Sequence, residues 1–476
     1  MCLALTKEPF WMIPEHVFKE YDIRGKAGVD LDARFAYLLG YAFAERLWQL
    51  GYKVAVVGHD NRESSPELHD ALISGITQAA CEVIDLGEVT TPMFYYGLYQ
   101  YHAPCGVMVT ASHNPGDENG FKMAVGGTTI YGSQIQELRK SMHRIYNAQN
   151  ISAQFAGHWE RVRQEDVWPA YLDMLKQKIQ LAPRPLKVVI DCGNGTDSAF
   201  APEALEAWGC NVVPLYCESD PTFPNHHPDP VVPENLRDLI ATVKREKADL
   251  GIAVDGDGDR LGVVDDLGNI LWGDQLMILF WREILPKHPG ARAPIEVKCS
   301  LTLVEDVEKM GGQPFFHRTG HSYIKATLHQ EPMIPFAGEM SGHLFFNDEY
   351  YGYDDALYAT GRLLRILSRT DKPLSDLLAD VPKYKSTPEI RVPCVDEDKI
   401  PVLAGVKSYF EGKHPVIDVD GARVLFEDGW GLVRSSNTQA ILVMRAEGKS
   451  DESLTRIKQE MEQALASVRP SMSIPW

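Results

Sequence analysis

Short apolar runs alternate with amphipathic stretches along most of the chain, and the alternation recurs three times. The first copy predicts a strand over 53–58, a helix over 66–80, and further strands over 81–86 and 106–109. The second predicts strands over 187–190, 211–215 and 250–254, with a helix over 199–208. The third predicts strands over 294–297, 314–317 and 333–337, with a helix over 303–310. Apolar runs of strand length separated by helical periods indicate parallel sheets wrapped by helices. After residue 382 the pattern changes to short alternating runs over 389–443, a polar turn at 418–422 and a closing helix over 451–468, which reads as a smaller α+β domain. Linkers near Asp166, Gly268 and Pro382 divide the chain into domains over 1–166, 167–268, 269–382 and 383–476.

Each third strand runs into an unusual polar loop. These are Thr-Ala-Ser-His-Asn-Pro at 110–115, Asp-Gly-Asp-Gly-Asp-Arg at 255–260 and Gly-Glu-Met-Ser-Gly-His at 338–343. In open α/β sheets ligands bind beyond the carboxyl ends of the strands, so three equivalent strand ends imply one shared cleft.

Charge narrows the partners. With 47 basic and 66 acidic side chains among 476 residues the net charge is −19, which repels nucleic acid and anionic lipid. A phosphate site must therefore be built locally, from a few cations and backbone N–H donors. The eight cysteines form no Cys-x-x-Cys pair, and in a chain of this length they read as reduced thiols of a cytoplasmic protein. No run approaches the roughly 20 apolar residues that span a bilayer. Lys7, Glu8, Pro9, Pro14 and Glu15 leave no signal-peptide core near the N-terminus.

The aspartate loop carries the sharpest chemistry. In an extended loop Asp255, Asp257 and Asp259 point to one side, and Gly256 and Gly258 allow a tight backbone path. Three such carboxylates repel one another unless a divalent cation sits among them, and hard oxygen ligands on a short loop suit Mg²⁺. An EF-hand is excluded, because the Leu-Gly-Val-Val that follows reads as a strand.

Ser112 is a weaker signal. No Gly-x-Ser-x-Gly elbow surrounds it, so an esterase triad is disfavoured. The loop alone fits an ordinary serine turn as well as a nucleophile. Lys122, in Asn-Gly-Phe-Lys, is placed to return to the same cleft. Glu339, Ser341 and His343 alternate at a strand end, as suits sugar hydroxyls. In Arg434 to Thr438 one guanidinium stands among hydroxyl and amide donors, as suits a phosphate.

Taken together, these loops resemble the α-D-phosphohexomutase superfamily, specifically its phosphomannomutase/phosphoglucomutase branch. The resemblance runs from Tyr-Asp-Ile-Arg-Gly at 21–25 to the 434–438 loop, with all blocks in the family's order. It implies three related α/β domains with mixed or parallel sheets and a C-terminal α+β domain, heart-shaped around a central cleft. It implies a phosphoserine at Ser112, with Mg²⁺ held by that residue and Asp255, Asp257 and Asp259. Lys122 matches the family's general base or acid, and His113, Arg260 and His343 lie close to the transfer. Tyr21, Arg24, Lys298, His321, Glu339 and Ser341 match substrate-contacting positions, and Arg434, Ser436, Asn437 and Thr438 match the grip on the phosphate that is not reacting.

The implied reaction interconverts hexose 1-phosphates and 6-phosphates of mannose or glucose, with a sugar 1,6-bisphosphate as intermediate and activator. The partners are hexose phosphates, with no nucleic acid and no membrane, and the protein is expected as a monomer or weak homodimer. Phosphoglucosamine mutase is the neighbouring alternative, and a magnesium-dependent sugar phosphatase a more distant one. Two departures from the family pattern stand out. Gln439-Ala440 occupies a place where relatives usually carry proline at the last position, and extra sequence lies around 147–157.

Overall fold

The polar loops at 110–115, 255–260 and 338–343 are hairpin connections, each pinned between a strand with a parallel partner and an antiparallel neighbour. The computed structural model describes residues 12–148, 157–436, 440–470, 472 and 474–476, arranged as two compact bodies. The first comprises residues up to 89 and 96–167; the second comprises 90–95 and 168–476.

In chain order the first body contains β1 (Ile23–Lys26), α1 (Ala33–Gln49), β2 (Val54–His59), α2 (Ser65–Gln78) and β3 (Glu82–Glu88). It continues with β4 (Gly106–Val109), β5 (Glu118–Val125), β6 (Thr128–Thr129), α3 (Ser133–Ala148) and β7 (Val162–Gln164). The sheet runs β1-β5-β4-β2-β3-β7, with β6 on β5. Strands β2, β3, β4 and β7 are parallel, whereas β5 pairs antiparallel with β4 in the register Val109↔Phe121. Helices α1 and α2 meet backbone to backbone: a Cβ on Gly40 would lie 2.1 Å from Leu72 O, and one on Gly75 2.0 Å from Tyr37 O. Only glycine permits that approach.

The second body holds three further sheets. The first contains β8 (Lys187–Asp191), β9 (Asn211–Leu215), β10 (Leu250–Val254), β11 (Leu261–Asp265) and β12 (Ile270–Leu271), in the order β12-β11-β10-β8-β9. The next contains β13 (Arg292–Glu296), β14 (Gln313–His317), β15 (Phe336–Gly338) and β16 (Leu344–Phe346), in the order β14-β13-β15-β16. In both, the parallel core ends in an antiparallel hairpin, with registers Val254↔Leu261 and Gly338↔Leu344. The last sheet is antiparallel throughout the pairs β17 (Lys385–Ser386), β18 (Ile390–Pro393), β19 (Val416–Ile417), β20 (Ala422–Phe426), β21 (Gly429–Ser435) and β22 (Ile441–Gly448) make. The closing helix, Asp451–Val468, packs on it.

Local departures from the sequence expectation have physical causes. The strand expected from 333 begins only at Phe336, since Met333 is 88% exposed and Pro332 and Pro335 lack backbone donors. The helix expected from 199 begins at Ala201, after a 3-10 turn over Thr196–Ala199.

Candidate functional site

In the first body the strand end of β4 delivers Ser112 into a tight turn. Ser112 adopts φ 55°, a left-handed conformation that costs an L-residue about 1–2 kcal/mol. Its N–H donates to Thr110 Oγ1 over 2.9 Å, and its Oγ lies 3.1 Å from His113 Nδ1. That contact places a candidate proton acceptor beside a hydroxyl that needs one. Arg24 on β1 braces the same turn, donating from Nη1 to Ala111 O (3.2 Å) and Asn114 Oδ1 (2.9 Å), while its Nε pairs with Asp22 at 2.6 Å. Lys122 sits opposite Met108 on β5 and is 2% exposed; Tyr21 is half-buried just before β1.

In the second body the aspartate loop is a closed turn, and this corrects the extended path expected from the sequence. Gly258 N donates to Asp255 O (3.1 Å), Asp255 N donates to Arg260 O (3.3 Å), and Gly258 takes φ 78°. A side chain at Gly258 would also strike Asp197 Oδ2 at 2.3 Å. The convergence inferred from alternation therefore comes from a turn. One carboxylate oxygen from each of Asp255, Asp257 and Asp259 lies within 4.8 Å of the others, and all three residues are fully buried.

Asp255 Oδ1 accepts from the backbone N–H of Asp259 and Arg260 at 3.0 Å each, and Thr91 Oγ1 donates to Asp257 Oδ2 at 2.6 Å. Beyond these neutral donors the triad meets Arg260 Nε, 3.9 Å from Asp255 Oδ2, and one such cation does not offset three buried carboxylates as a hard divalent cation does. The donor set fits such an ion. The neighbouring group of Asp259, His343 and Asp354 is also within metal-ligand spacing, but Lys325 Nζ already meets Asp354 Oδ1 at 2.8 Å and Arg260 Nε donates to His343 Nε2 at 3.0 Å. Lys325 and Arg260 thus serve that second group directly, which leaves the aspartate turn as the candidate metal position.

The loop after β15 closes on the same turn: Leu261 N donates to Gly342 O at 3.0 Å. Glu339 is buried and accepts from Gly320 N at 2.5 Å, while Ser341 remains half-buried. His321, first in its helix (His321–Gln330), stacks on His343 with ring centroids 5.5 Å apart. Lys298 Nζ pairs with Glu389 Oε2 at 3.2 Å. Burial alone would lower the lysine's pKa, but the adjacent Glu296 and Glu389 outweigh it and raise it.

Arg434 on β21 is buried and donates from Nε to Asp420 Oδ2 at 2.8 Å; the same oxygen accepts from Thr319 N at 3.0 Å. Ser436 O accepts from Lys399 Nζ at 3.0 Å. Asn437, Thr438 and Gln439 lie outside the described residues, as do residues 149–156 of the expected insertion.

Comparison with known proteins places this arrangement. Four family models match in order: phosphoglucomutase/phosphomannomutase alpha/beta/alpha domain I over 15–149, domain II over 169–268, domain III over 272–384 and the C-terminal domain over 389–464. The chain belongs to the phosphoglucomutase/phosphomannomutase family, within the α-D-phosphohexomutase superfamily. It is 42% identical over 475 residues to the phosphomannomutase/phosphoglucomutase of Pseudomonas aeruginosa, covering 100% of both chains. It is 41% identical over 459 residues to the phosphoglucomutase of Neisseria gonorrhoeae, covering 96% of this chain and 98% of that one. A crystal structure of a phosphoglucomutase/phosphomannomutase family protein from Burkholderia thailandensis superposes with a TM-score of 0.89 at 41% identity, covering 98% of this chain and 100% of that one.

For this member of the phosphoglucomutase/phosphomannomutase family, the structure brings Ser112, His113 and Arg24 together in one body. In the other it brings together the three aspartates, Arg260, His343 and His321. Sequence reading missed Thr91 beside Asp257, Asp354 beside His343, Lys325 beside Asp354, Glu389 beside Lys298 and Asp420 beside Arg434. Two carried a visible signal: Asp354, in the acidic pair Asp354-Asp355 that follows a tyrosine-rich run, and Asp420, in the polar turn at 418–422.

Proposed function

We propose that this chain interconverts hexose 1-phosphates and 6-phosphates of mannose and glucose, through a phosphoserine at Ser112 and a sugar 1,6-bisphosphate. The observation that carries the reading is the end-to-end match, 42% identical over 475 residues, to a relative that bears both mutase names. The buried aspartate turn and the Ser112 turn support it, because phosphoryl transfer needs little beyond charge compensation and a positioned acceptor.

Asp255, Asp257 and Asp259 are assigned to hold Mg²⁺ together with an oxygen of phosphoserine 112; when bound, the ion offsets negative charge on the phosphoryl oxygens. Ser112 gives its phosphoryl group to the free hydroxyl of a sugar monophosphate. The P–O bond to Ser112 breaks as the P–O bond to the sugar forms, and Lys122 takes the hydroxyl proton. The bisphosphate then turns around: the P–O bond from its other phosphoryl group to the sugar breaks as the P–O bond to Ser112 re-forms, and Lys122 returns the proton to the freed sugar oxygen. Added sugar 1,6-bisphosphate restores phosphoserine lost to water. His113, Arg260 and His343 flank the transfer.

Tyr21, Arg24, Lys298 and His321 contact the substrate. Glu339 and Ser341 grip its hydroxyls, and Arg434, Ser436, Asn437 and Thr438 hold the phosphate at rest. Mannose and glucose differ only at C2, so a grip on O3 and O4 admits both sugars in both orientations. Domain limits near 166, 268 and 382, a cytoplasmic location and a monomer or weak homodimer complete the reading.

The test is ³¹P NMR of the purified chain with Mg²⁺ and trace glucose 1,6-bisphosphate. Mannose 1-phosphate and glucose 1-phosphate are expected to become 6-phosphates, and Ser112→Ala to abolish both conversions. Conversion of glucosamine 1-phosphate alone would move the chain to that neighbouring activity. Release of inorganic phosphate instead would make it a phosphatase.

A further inference from the structure

We propose that Arg62 is a positioning residue for phosphoryl transfer, its guanidinium setting the turn that presents Ser112. The inference rests on the reading of Ser112 as the phosphoserine.

Arg62 follows β2 by three residues and is 1% exposed. A guanidinium offers five N–H donors in a rigid planar fork, and all five are used. Nε donates to Asp60 Oδ2 at 3.1 Å. Nη1 donates to Pro115 O (2.6 Å) and Glu118 O (3.0 Å), and Nη2 to Ser112 O and Asn114 O (2.7 Å each). Four donors thus fall on carbonyls between residues 112 and 118, of which Pro115 O also accepts from Glu118 N at 3.0 Å.

The anchor beneath the fork is itself fixed. Asp60 Oδ1 accepts from Arg62 N (3.1 Å) and from Ser65 Oγ (2.5 Å) at the start of α2, and Asn119 Nδ2 donates to Ser65 Oγ (2.9 Å). The brace therefore ties the turn to the β2–α2 corner.

Two consequences follow for chemistry. Holding Ser112 O fixes the 112–113 peptide plane, and with it the direction in which the Ser112 side chain leaves a left-handed backbone. Holding Glu118 O fixes the first residue of β5, the strand that carries Lys122. One buried cation thus sets both the group that carries the phosphoryl and the strand of the group assigned to its proton. Lysine at position 62 would keep the charge and its pairing with Asp60, but a single ammonium with three donors does not reach four carbonyls spread over the turn.

The test compares the full-length chain with Arg62→Lys and Asp60→Asn. It measures kcat and KM for glucose 1-phosphate with Mg²⁺ and glucose 1,6-bisphosphate, together with backbone amide exchange by mass spectrometry and the melting temperature. R62K is expected to lower kcat about 100-fold, with KM changed by less than about threefold because, of the assigned substrate contacts among the described residues, Arg24 alone is bonded to this turn. Exchange in peptides covering 110–118 is expected to accelerate while α1 exchanges as before. D60N is expected to act in the same direction with smaller size, and it carries the test if R62K does not accumulate as folded protein.

Wild-type exchange at 110–118 in the variants would overturn the brace, whatever the activity. Faster exchange with kcat unchanged would overturn the positioning role. A wild-type chain without mutase turnover would sink the functional reading instead, and the exchange data would then still judge the brace.

Discussion

Arg260 Nε donates to His343 Nε2 over 3.0 Å, joining the aspartate turn to the loop after β15. The other ring nitrogen, Nδ1, lies 2.9 Å from Asp354 Oδ2, and Asp354 Oδ1 accepts from Lys325 Nζ at 2.8 Å. His343 Nε2 therefore acts as the acceptor for Arg260, with the Asp354 carboxylate flanking the other side of the ring, and this aims the Arg260 guanidinium. Asp354→Ala removes the orienting carboxylate and leaves the buried Lys325 charge without its counter-ion. It is expected to destabilise the chain by about 3 kcal/mol and to lower kcat by up to about 100-fold. Urea unfolding and steady-state kinetics on the same preparation measure both, and unchanged kcat would remove His343 orientation from the mechanism.

The aspartate turn stores like-charge repulsion that a divalent cation relieves. At a Mg²⁺ concentration of 100 times Kd the wild-type chain is expected to gain about 2.7 kcal/mol. Asp257→Asn keeps an acceptor for the Thr91 hydroxyl while removing one of three buried charges. In EDTA it is expected to melt above the metal-free wild type, and Mg²⁺ is expected to add little. Thermal melts with and without Mg²⁺ decide the matter; equal Mg²⁺ shifts in both proteins would refute the assignment.

Ser112 stands at φ 55°, where glycine is at ease. Ser112→Gly is therefore expected to stabilise the fold by up to about 1 kcal/mol, the relieved strain less the added chain entropy, while abolishing turnover. Denaturant titration checks the sign. Destabilisation would mean that the hydroxyl contributes more than the strained backbone costs.

Lys298 holds the Glu389 carboxyl at about 2, well below its ordinary 4.5. A depressed carboxylate contributes stability above its unfolded pKa and loses it as pH falls through the folded value. The native state is thus expected to weaken progressively from pH about 4.5 towards about 2, and Glu389→Gln to flatten that limb. Unfolding midpoints at pH 5 and pH 3 measure the difference. A variant that keeps the full wild-type slope would show that other groups carry it.

Much of this is legible in the sequence. The strand over 250–254 and the closing helix over 451–468 stand where periodicity puts them, because each needs only its own apolar spacing to find a buried face. The aspartate loop was legible for a similar reason: its three carboxylates lie within a five-residue span, so sequence proximity already implies spatial proximity. Its path was misread as extended, since alternation alone does not reveal the left-handed Gly258 that closes the turn.

The sequence by itself determined the repeating strands, the loops at their ends and the carboxylates that suit a cation, all of which depend on neighbours close along the chain. Tertiary structure alone decided that Arg62 reaches Ser112 O across 50 residues, that Arg260 meets His343 across 83, and that Lys298 meets Glu389 across 91. For Arg62 the physical reason is plain. Four of its partners are backbone carbonyls, which every residue possesses, so no pattern of side chains marks them. Only the pairing of β4 and β5 beside β2 brings those oxygens under one guanidinium.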